Sequence, residues 1–129
     1  MTNNNELPRI AVLMVTYNAQ KYLGDCFDSL QKTKYPTDRW HIVVVDNASS
    51  DDTVAQLNLW RFNLQKLRIT VEIIESKENT AFTGGNNTAA HHAQQFKPDY
   101  LVLLNQDTVV DPNWLKELVA AGESDTHIG

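Results

Sequence analysis

The sequence predicts an α/β fold in which a parallel sheet of about four strands is flanked by helices. Two observations lead to this prediction. Short apolar runs rich in β-branched residues alternate along the chain with segments of helical period, and each apolar run passes directly into polar residues. Strands that alternate with helices form parallel sheets with right-handed crossovers, so all the strands are expected to end at one edge.

Four strands are expected, and they span residues 9–16, 40–45, 67–75 and 99–104. The fourth contains the apolar run Tyr100–Leu104, whose length and composition predict a strand buried on both faces. This run is followed at once by Asn105, Gln106 and Asp107. We therefore expect the carboxylate of Asp107 to emerge at the edge where open α/β sheets bind ligands.

Four helices are expected between and after the strands. They span residues 21–33, a segment from the caps at 49–52 to about 65, a segment from 84 to about 95, and a segment after 111–112. The Gly84–Gly85 pair is expected to open the third helix, and Asp111–Pro112 is typical of a helix start. In the last helix the residues expected to face the core are Trp114, Leu115, Leu118 and Val119.

Composition excludes several classes of protein. At 129 residues the chain suits one domain or part of one, and a net charge of -5 with scattered Lys and Arg argues against a nucleic-acid partner. The single cysteine, Cys26, excludes an internal disulfide and suits a buried helical position. The histidines lack metal-ligand spacing. Neither a signal peptide nor a run approaching the roughly 18 apolar residues of a membrane span is present, so we expect a cytoplasmic location.

Polar residues follow every predicted strand and should converge on one edge of the sheet. They are Thr16, Tyr17 and Asn18 after the first strand, Asp46 and Asn47 after the second, residues 75–85 after the third, and residues 105–107 after the fourth. Any one of these clusters alone would be more typical of a turn or a helix cap than of a binding site. Four clusters in register predict a single binding site. Asp46 either caps the next helix or accepts hydrogen bonds from a base or ribose, and we favour the second role.

Four ordered motifs resemble those of the inverting family 2 glycosyltransferases with the GT-A fold, and in particular bacterial rhamnosyltransferase-like members. The motifs are Val15–Asn18, Val45–Thr53, Glu78–Asn87 with Phe82, and Leu103–Asp107. They extend the resemblance from Ile10 to about Trp114. The resemblance implies a Rossmann-like GT-A half and an enzyme of hexosyltransferase type that uses a nucleotide-sugar donor.

The resemblance also implies roles for residues on the first two loops. Thr16, Tyr17 and Asn18 would lie beside the nucleoside, and Tyr17 could offer an aromatic face to the base. Asp46 would accept the imide N–H of uracil or thymine. That role implies a UDP-sugar or dTDP-sugar as the donor.

The third motif resembles the loop at which the backbone approaches the donor. Asn79 and the Gly84–Gly85 pair occupy this loop, and glycine permits such an approach because it has no Cβ. Ala81 and Ala89 stand where the resemblance leads us to expect glycine. The resemblance therefore does not determine the backbone path of this loop.

The fourth motif takes the place of the family's metal motif, in which two acids commonly flank one residue. Asp107 keeps the terminal acid and is implied as a ligand of Mg²⁺ or Mn²⁺, which would neutralise the charge that forms on the leaving diphosphate. Asn105 replaces the other acid and would contact a ribose or sugar hydroxyl instead. An amide adds no charge, so a lower cation affinity is expected.

The resemblance places the family's acceptor site and catalytic base beyond the metal motif. Residues 1–129 are therefore expected to be the N-terminal nucleotide-sugar-binding portion of a longer, truncated domain, with no base to name. We expect donor binding without efficient transfer to a glycan or lipid-linked acceptor of cell-surface polysaccharide. The intact enzyme would be peripheral to the inner face of the membrane, and a bare sheet edge would allow self-association.

Two other classes of function are weighed beside this one. A nucleotidyltransferase or other Rossmann-like nucleotide enzyme is disfavoured because the chain lacks both the G-x-G-x-x-G fingerprint and a phosphate-loop lysine. A catalytically silent binding or assembly module is the second alternative.

Overall fold

The computed structural model describes residues 7–124, which form a four-stranded parallel sheet with four α-helices. The strands are β1 (Ile10–Thr16), β2 (Trp40–Asn47), β3 (Thr70–Ser76) and β4 (Tyr100–Leu103). The helices are α1 (Leu23–Leu30), α2 (Thr53–Lys66), α3 (Ala81–Ala93) and α4 (Trp114–Ser124), and a short 3-10 helix (Gln94–Phe96) follows α3. The predicted fold class is confirmed. The side chain of Phe82 lies outside the described residues.

The order of the strands across the sheet is β3-β2-β1-β4. β1 pairs in parallel with β2, with Ile10 opposite Trp40, and on its other side with β4, with Ile10 opposite Tyr100. The chain therefore moves outward from β1 to β3 and then returns to the opposite side of β1. Such a reversal opens a crevice beyond the carboxyl ends of the two strands that flank it, here β1 and β4.

Alternate residues of the strands supply two separate cores. On one face, Ile10, Val12 and Met14 of β1 pack in a cluster that also holds Phe27 of α1 and Leu57 of α2. The buried residues of α4, Trp114 and Leu115, belong to the same cluster. On the other face, Ala11, Leu13, Val43 and Val45 pack against Ala89 and Ala93 of α3. The strands are thus sandwiched between α1, α2 and α4 on one side and α3 on the other.

The prediction that the fourth strand is buried on both faces is wrong. Leu101 and Leu103 are 40% and 58% exposed. They lie opposite Ala11 and Leu13 of β1, on the face that α3 covers. Because α3 packs over β1 and β2, it leaves this face of the edge strand β4 open. Leu118 of α4, which was expected to face the core, is also exposed (43%).

Several element boundaries differ from those that the sequence predicts. β2 continues through Asp46 and Asn47, so these polar residues are part of the strand and not of the following loop. α1 is confined to Leu23–Leu30, and its expected flanks form turns. α3 begins at Ala81, earlier than predicted. Within residues 7–124, no helix is both long and apolar enough to cross a bilayer.

His41 is a buried polar residue at the start of β2. Its ring lies 4.0 Å from the Phe96 ring, centroid to centroid, and its Nε2 has no hydrogen-bond partner in the described part of the chain. Burial lowers the pKa of His41 to about 4, and the charges of Arg9 and His92 add to this effect. The folded protein therefore holds His41 in its neutral form.

We predict that stability falls as the pH is lowered from 6.5 to 4. The unfolded chain protonates His41 near its ordinary pKa of 6.5, whereas the folded chain does not until about pH 4. The unfolded state binds the extra proton in this window, which costs up to about 3 kcal/mol of folding free energy. Urea unfolding of wild type and His41→Phe at both pH values measures the difference. Equal pH slopes for the two proteins would contradict the assignment.

Candidate functional site

A cavity of about 360 Å³ opens at the carboxyl ends of the strands. Its lining comprises Val15, Tyr17, Asn47, Asn79, Ala81, Asn105, Gln106 and Asp107. These residues come from all four strands or the segments that follow them. The convergence that the sequence predicts is therefore present.

The structure brings only some of the predicted site residues to this cavity. Tyr17, Asn79, Asn105 and Asp107 line it. Thr16, Asn18, Asp46, Gly84 and Gly85 are not among its lining residues. Asn47 and Gln106 also line the cavity; both belong to the polar clusters predicted to converge there, but no individual role is predicted for either from the sequence.

Asp46 lies beneath the surface, with only 1% of its side chain area exposed. Its Oδ1 accepts hydrogen bonds from Thr16 Oγ1 (2.8 Å) and Ser49 Oγ (2.6 Å), and its Oδ2 accepts one from the backbone N–H of Ser49 (2.9 Å). The carboxylate thus joins the end of β1 to the turn after β2. Asp46 does not cap the next helix, because the N-cap of α2 is Asp52. Among the described residues, one lone pair of Asp46 Oδ2 is left without a hydrogen-bond partner.

The loops after β1 and β2 are joined by reciprocal hydrogen bonds. The backbone N–H of Asn18 donates to Ser49 Oγ (2.9 Å), and the backbone N–H of Ser50 donates to Asn18 Oδ1 (2.8 Å). Gln20 accepts from the backbone N–H of Asp52 in the same manner (3.1 Å). Asn18 therefore acts in this structure as a bridge between loops. Its φ of 47° is left-handed, a conformation that asparagine tolerates better than most residues.

Asn47 holds the start of α3 against the end of β2. Its Nδ2 donates to the carbonyl of Ala81 (2.8 Å), and its Oδ1 accepts from Thr80 Oγ1 (3.1 Å). Both ends of one buried amide are thereby used. Ala81 has a φ of 64°, which explains why glycine is the residue expected there.

Gly84 and Gly85 do not lie in a loop, which corrects the predicted location. Both are inside α3, and neither has a positive φ. A Cβ on Gly85 would lie 2.8 Å from both methyl groups of Val15, and a Cβ on Gly84 would lie 2.8 Å from Cβ of Thr80. The glycines therefore permit α3 to pack tightly on β1 and on its own N-terminal segment. Ala89 is fully buried against the sheet.

Gln106 ties the loop after β4 to the loop after β1. Its Oε1 accepts from the backbone N–H of Tyr17 (2.9 Å), and its Nε2 donates to the carbonyl of Tyr17 (3.4 Å). The side-chain amide thus pairs with both main-chain groups of one residue, much as a neighbouring strand would. Gln106 fixes the spacing between the Tyr17 ring and the carboxylate that follows at Asp107.

The family model for glycosyl transferase family 2 matches residues 11–128. The chain belongs to this family. A curated relative, the poly(ribitol-phosphate) beta-N-acetylglucosaminyltransferase TarS of Staphylococcus aureus, is 26% identical over 87% of the chain and 18% of its own length. The putative glycosyltransferase EpsE of Bacillus subtilis is 24% identical over 95% of the chain and 41% of its own length.

Solved structures of glycosyltransferases share the GT-A fold of this chain. The mannosyltransferase PcManGT of Pyrobaculum calidifontis, in complex with GDP-Man and Mn²⁺, superposes with a TM-score of 0.84 and is 25% identical over 98% of the chain and 35% of its own. Staphylococcus aureus TarS 1-349 in complex with UDP-GlcNAc gives a TM-score of 0.75 at 21% identity over 90% of the chain and 31% of its own. The chain therefore spans well under half of the length of these relatives.

Among the described residues, the exposed Asp107 is the single charged residue that lines the cavity. Asn105 beside it offers an amide oxygen. Among residues 7–124, no group of three or more His, Cys, Asp or Glu could hold a metal ion. Hard oxygen ligands suit Mg²⁺ or Mn²⁺, so these two residues would fit a divalent ion if its other ligands were supplied by phosphate oxygens and water.

Two further groups near the site have shifted pKa values. A hydrogen bond from the Thr53 hydroxyl is the main cause that lowers the pKa of Asp51. Burial raises the pKa of Cys26 to about 12, and the charge of Asp107 contributes. Cys26 is thus a buried thiol, as the sequence predicts, and it is not a nucleophile.

We predict opposite effects for two glycine-to-alanine substitutions in helices. Gly85→Ala places a methyl group against Val15 and should cost about 1–3 kcal/mol of stability. Gly24→Ala in α1 meets no atom within 4 Å and should gain about 0.5–1 kcal/mol, since alanine favours helix. Thermal unfolding of both variants checks the pair. Equal effects would contradict the tight packing of α3 on β1.

Proposed function

We propose that this chain forms the donor-binding part of a glycosyltransferase that moves a sugar, with inversion, from a UDP-sugar or dTDP-sugar to a glycan or lipid-linked acceptor. One observation carries the proposal. Among the described residues, the cavity at the sheet edge is lined by four amide side chains and the carboxylate of Asp107, and by no Lys or Arg. The amides of Asn47 and Gln106 already bind neighbouring groups of the protein. Asn79 and Asn105 would therefore offer hydrogen bonds to sugar hydroxyls, and a diphosphate would need a bound cation.

The base and ribose would occupy the side of the cavity formed by the end of β1. Tyr17 is 48% exposed at this position and offers a ring for stacking. Thr16 and Asn18 would not contact the nucleoside directly. They would position the neighbouring loops through their hydrogen bonds to Asp46 and Ser50. The lone pair that remains on Asp46 Oδ2 would accept the imide N–H of a pyrimidine. Because Asp46 is buried and does not line the cavity, the turn at Ser49 would have to move aside to admit the base.

The diphosphate and its metal ion would lie between Asp107 and the start of α3. α3 begins at Ala81 on the cavity wall, where the backbone N–H of Ala81 donates to Asn79 Oδ1 (2.7 Å). The N-terminal end of a helix favours negative charge. When bound, Mg²⁺ or Mn²⁺ would neutralise the charge that develops on the leaving diphosphate. Asp107 would hold the ion, while Asn105 and Asn79 would face the donor. Gly84 and Gly85 would contribute indirectly, because they set how closely α3 approaches the sheet.

Inversion needs a carboxylate that takes the proton of the acceptor hydroxyl. In the described part of the chain, Asp107 is the single carboxylate that lines the cavity, and the metal ion would occupy it. We propose that residues 1–129 are one nucleotide-sugar-binding portion that binds the donor without efficient transfer. The name of one relative, a poly(ribitol-phosphate) beta-N-acetylglucosaminyltransferase, supports a role in cell-surface polysaccharide synthesis. We further propose that this role is carried out at the inner, cytoplasmic face of the membrane.

Calorimetric titration with UDP, dTDP, GDP and ADP, with and without Mn²⁺, tests this proposal. We predict that UDP or dTDP binds at least about tenfold more tightly with Mn²⁺ than without it. Asp107→Asn should remove this metal dependence, because the metal loses its charged ligand. Asp111→Asn is the matched control: it removes a carboxylate nearby but keeps the hydrogen bond that Asp111 accepts from Asn113 N–H.

The nucleotide panel and two tyrosine variants complete the test. Tyr17→Phe should retain affinity and Tyr17→Ala should lose it if the ring stacks on the base. A preference for GDP, the nucleotide of the donor bound to the mannosyltransferase neighbour, would overturn the pyrimidine assignment alone. Absence of binding by every nucleotide to the folded chain would favour the silent binding or assembly module.

The open edge of the sheet supports self-association as a second proposed property. Leu101, Leu103 and Leu118 are exposed beside an apolar groove of about 230 Å³ between β4 and α4. A second copy could pair with the free edge of β4 and cover this groove. We predict that light scattering detects a dimer at high concentration and that Leu103→Lys abolishes it. A wild-type monomer at every concentration would exclude this dimer.

A further inference from the structure

The outer face of α2 carries an exposed apolar row. Most surface helices place polar residues opposite the core, but in α2 the side opposite the buried Leu57 and Leu64 holds large apolar side chains. Leu59 is 66% exposed and Phe62 is 59% exposed. We define the outer stripe of α2 as Ala55, Leu59, Phe62 and Lys66, which recur at helical spacing and are all exposed.

Cations border this stripe at the C-terminal end of the helix. Lys66 Nζ lies 4.5 Å from the centroid of the Phe62 ring, so its aliphatic stem lies beside the apolar surface while its charge stays at the rim. Arg68 adds a second cation, and residues 53–71 contain no acidic residue. In the described part of the chain, neither Lys66 nor Arg68 forms an ion pair. The exposed Leu67 extends the apolar surface.

Arg68 occupies a backbone position that usually belongs to glycine. Its φ is 66°, and the backbone N–H of Ile69 donates to the carbonyl of Leu64 (3.0 Å), which closes a Schellman motif. A side chain in this conformation costs folding free energy that glycine would not. The arginine therefore adds positive charge beside the stripe at some expense to stability.

We propose that the outer stripe of α2 docks the protein on the surface of an anionic lipid bilayer. Apolar side chains flanked by Lys and Arg are the pattern by which helices lie in the plane of a membrane interface. A specific protein interface buries about 1,000 Å² or more, whereas a bilayer accepts a single row of side chains. The outer stripe of α2 faces away from the sheet. Docking through it would therefore not cover the cavity at the ends of the strands. The docking does not depend on what that cavity binds.

Co-sedimentation of the full chain with lipid vesicles tests the proposal. The vesicles contain equal parts of phosphatidylglycerol and phosphatidylcholine, and vesicles of phosphatidylcholine alone serve as the neutral reference. We expect saturable binding to the anionic vesicles that weakens with added salt. Leu59→Ser with Phe62→Ser should reduce the affinity at least about tenfold, since both side chains are lost from the buried surface.

Arg68→Gly separates docking from folding. This substitution removes one cation but relieves the left-handed backbone, so the Tm should stay constant or rise while vesicle affinity falls about fivefold. Lys97→Gly is its matched control, because Lys97 is also an exposed cation with positive φ (51°) but follows α3 on the other side of the sheet. Val109→Ser is the control for an exposed apolar residue outside the stripe.

Three results would overturn the proposal. The first is no binding to anionic vesicles. The second is an equal loss of affinity in Lys97→Gly and Arg68→Gly, which would indicate a diffuse effect of charge. The third is a dimer, seen by light scattering without lipid, that Leu59→Ser with Phe62→Ser converts to a monomer, since the stripe would then belong to an interface with a second copy.

Discussion

The candidate site depends on two polar side chains that are buried at the end of β2. Asp46 and Asn47 are 1% and 2% exposed, and a buried polar group without partners costs about 1–3 kcal/mol. Asp46 meets this requirement by binding Thr16 and the turn at Ser49, and Asn47 meets it by binding Thr80 and Ala81. Asp46 thus joins the end of β1 to the turn after β2, and Asn47 holds the start of α3 against the end of β2. The cavity lies between the loop after β1, which Asp46 helps to hold, and the start of α3, which Asn47 holds.

The charge of the cavity follows from which side chains remain after these attachments. The amides of Asn47 and Gln106 are largely used to hold the backbone, and Asp107 is exposed. A diphosphate placed there would meet a like charge and no Lys or Arg among the lining residues. A divalent ion reverses the sign of that interaction. The electrostatics of this edge therefore favour a metal-bound anionic ligand over a free one.

Much of the fold could be predicted from the sequence because it depends on local periodicity. The strands, the helices and the common edge at which the strands end follow from alternation alone, and Tyr17, Asn79, Asn105 and Asp107 do line the cavity at that edge. The roles of Asp46 and Asn47 could not be predicted in this way. Neighbouring residues of one strand point to opposite faces of the sheet. Because β2 continues through Asp46 and Asn47, only one of the two side chains, that of Asn47, lines the cavity. The exposure of Leu101 and Leu103 likewise depends on how far α3 reaches across the sheet.

Backbone strain is also placed by tertiary contacts that the sequence does not reveal. Asn18, Ala48 and Ala81 all have positive φ, and all follow the carboxyl ends of strands at the candidate site. Each alanine in this conformation costs roughly 1–2 kcal/mol that glycine would avoid. The hydrogen bonds of Asn47 and Asp46 hold the segments that contain these alanines, so the strain persists without loosening the loops. Glycine at these positions would relieve the backbone strain, but it would increase the number of conformations accessible to each loop. The alanines therefore keep the cavity walls fixed before a ligand arrives, which lowers the ordering cost of binding.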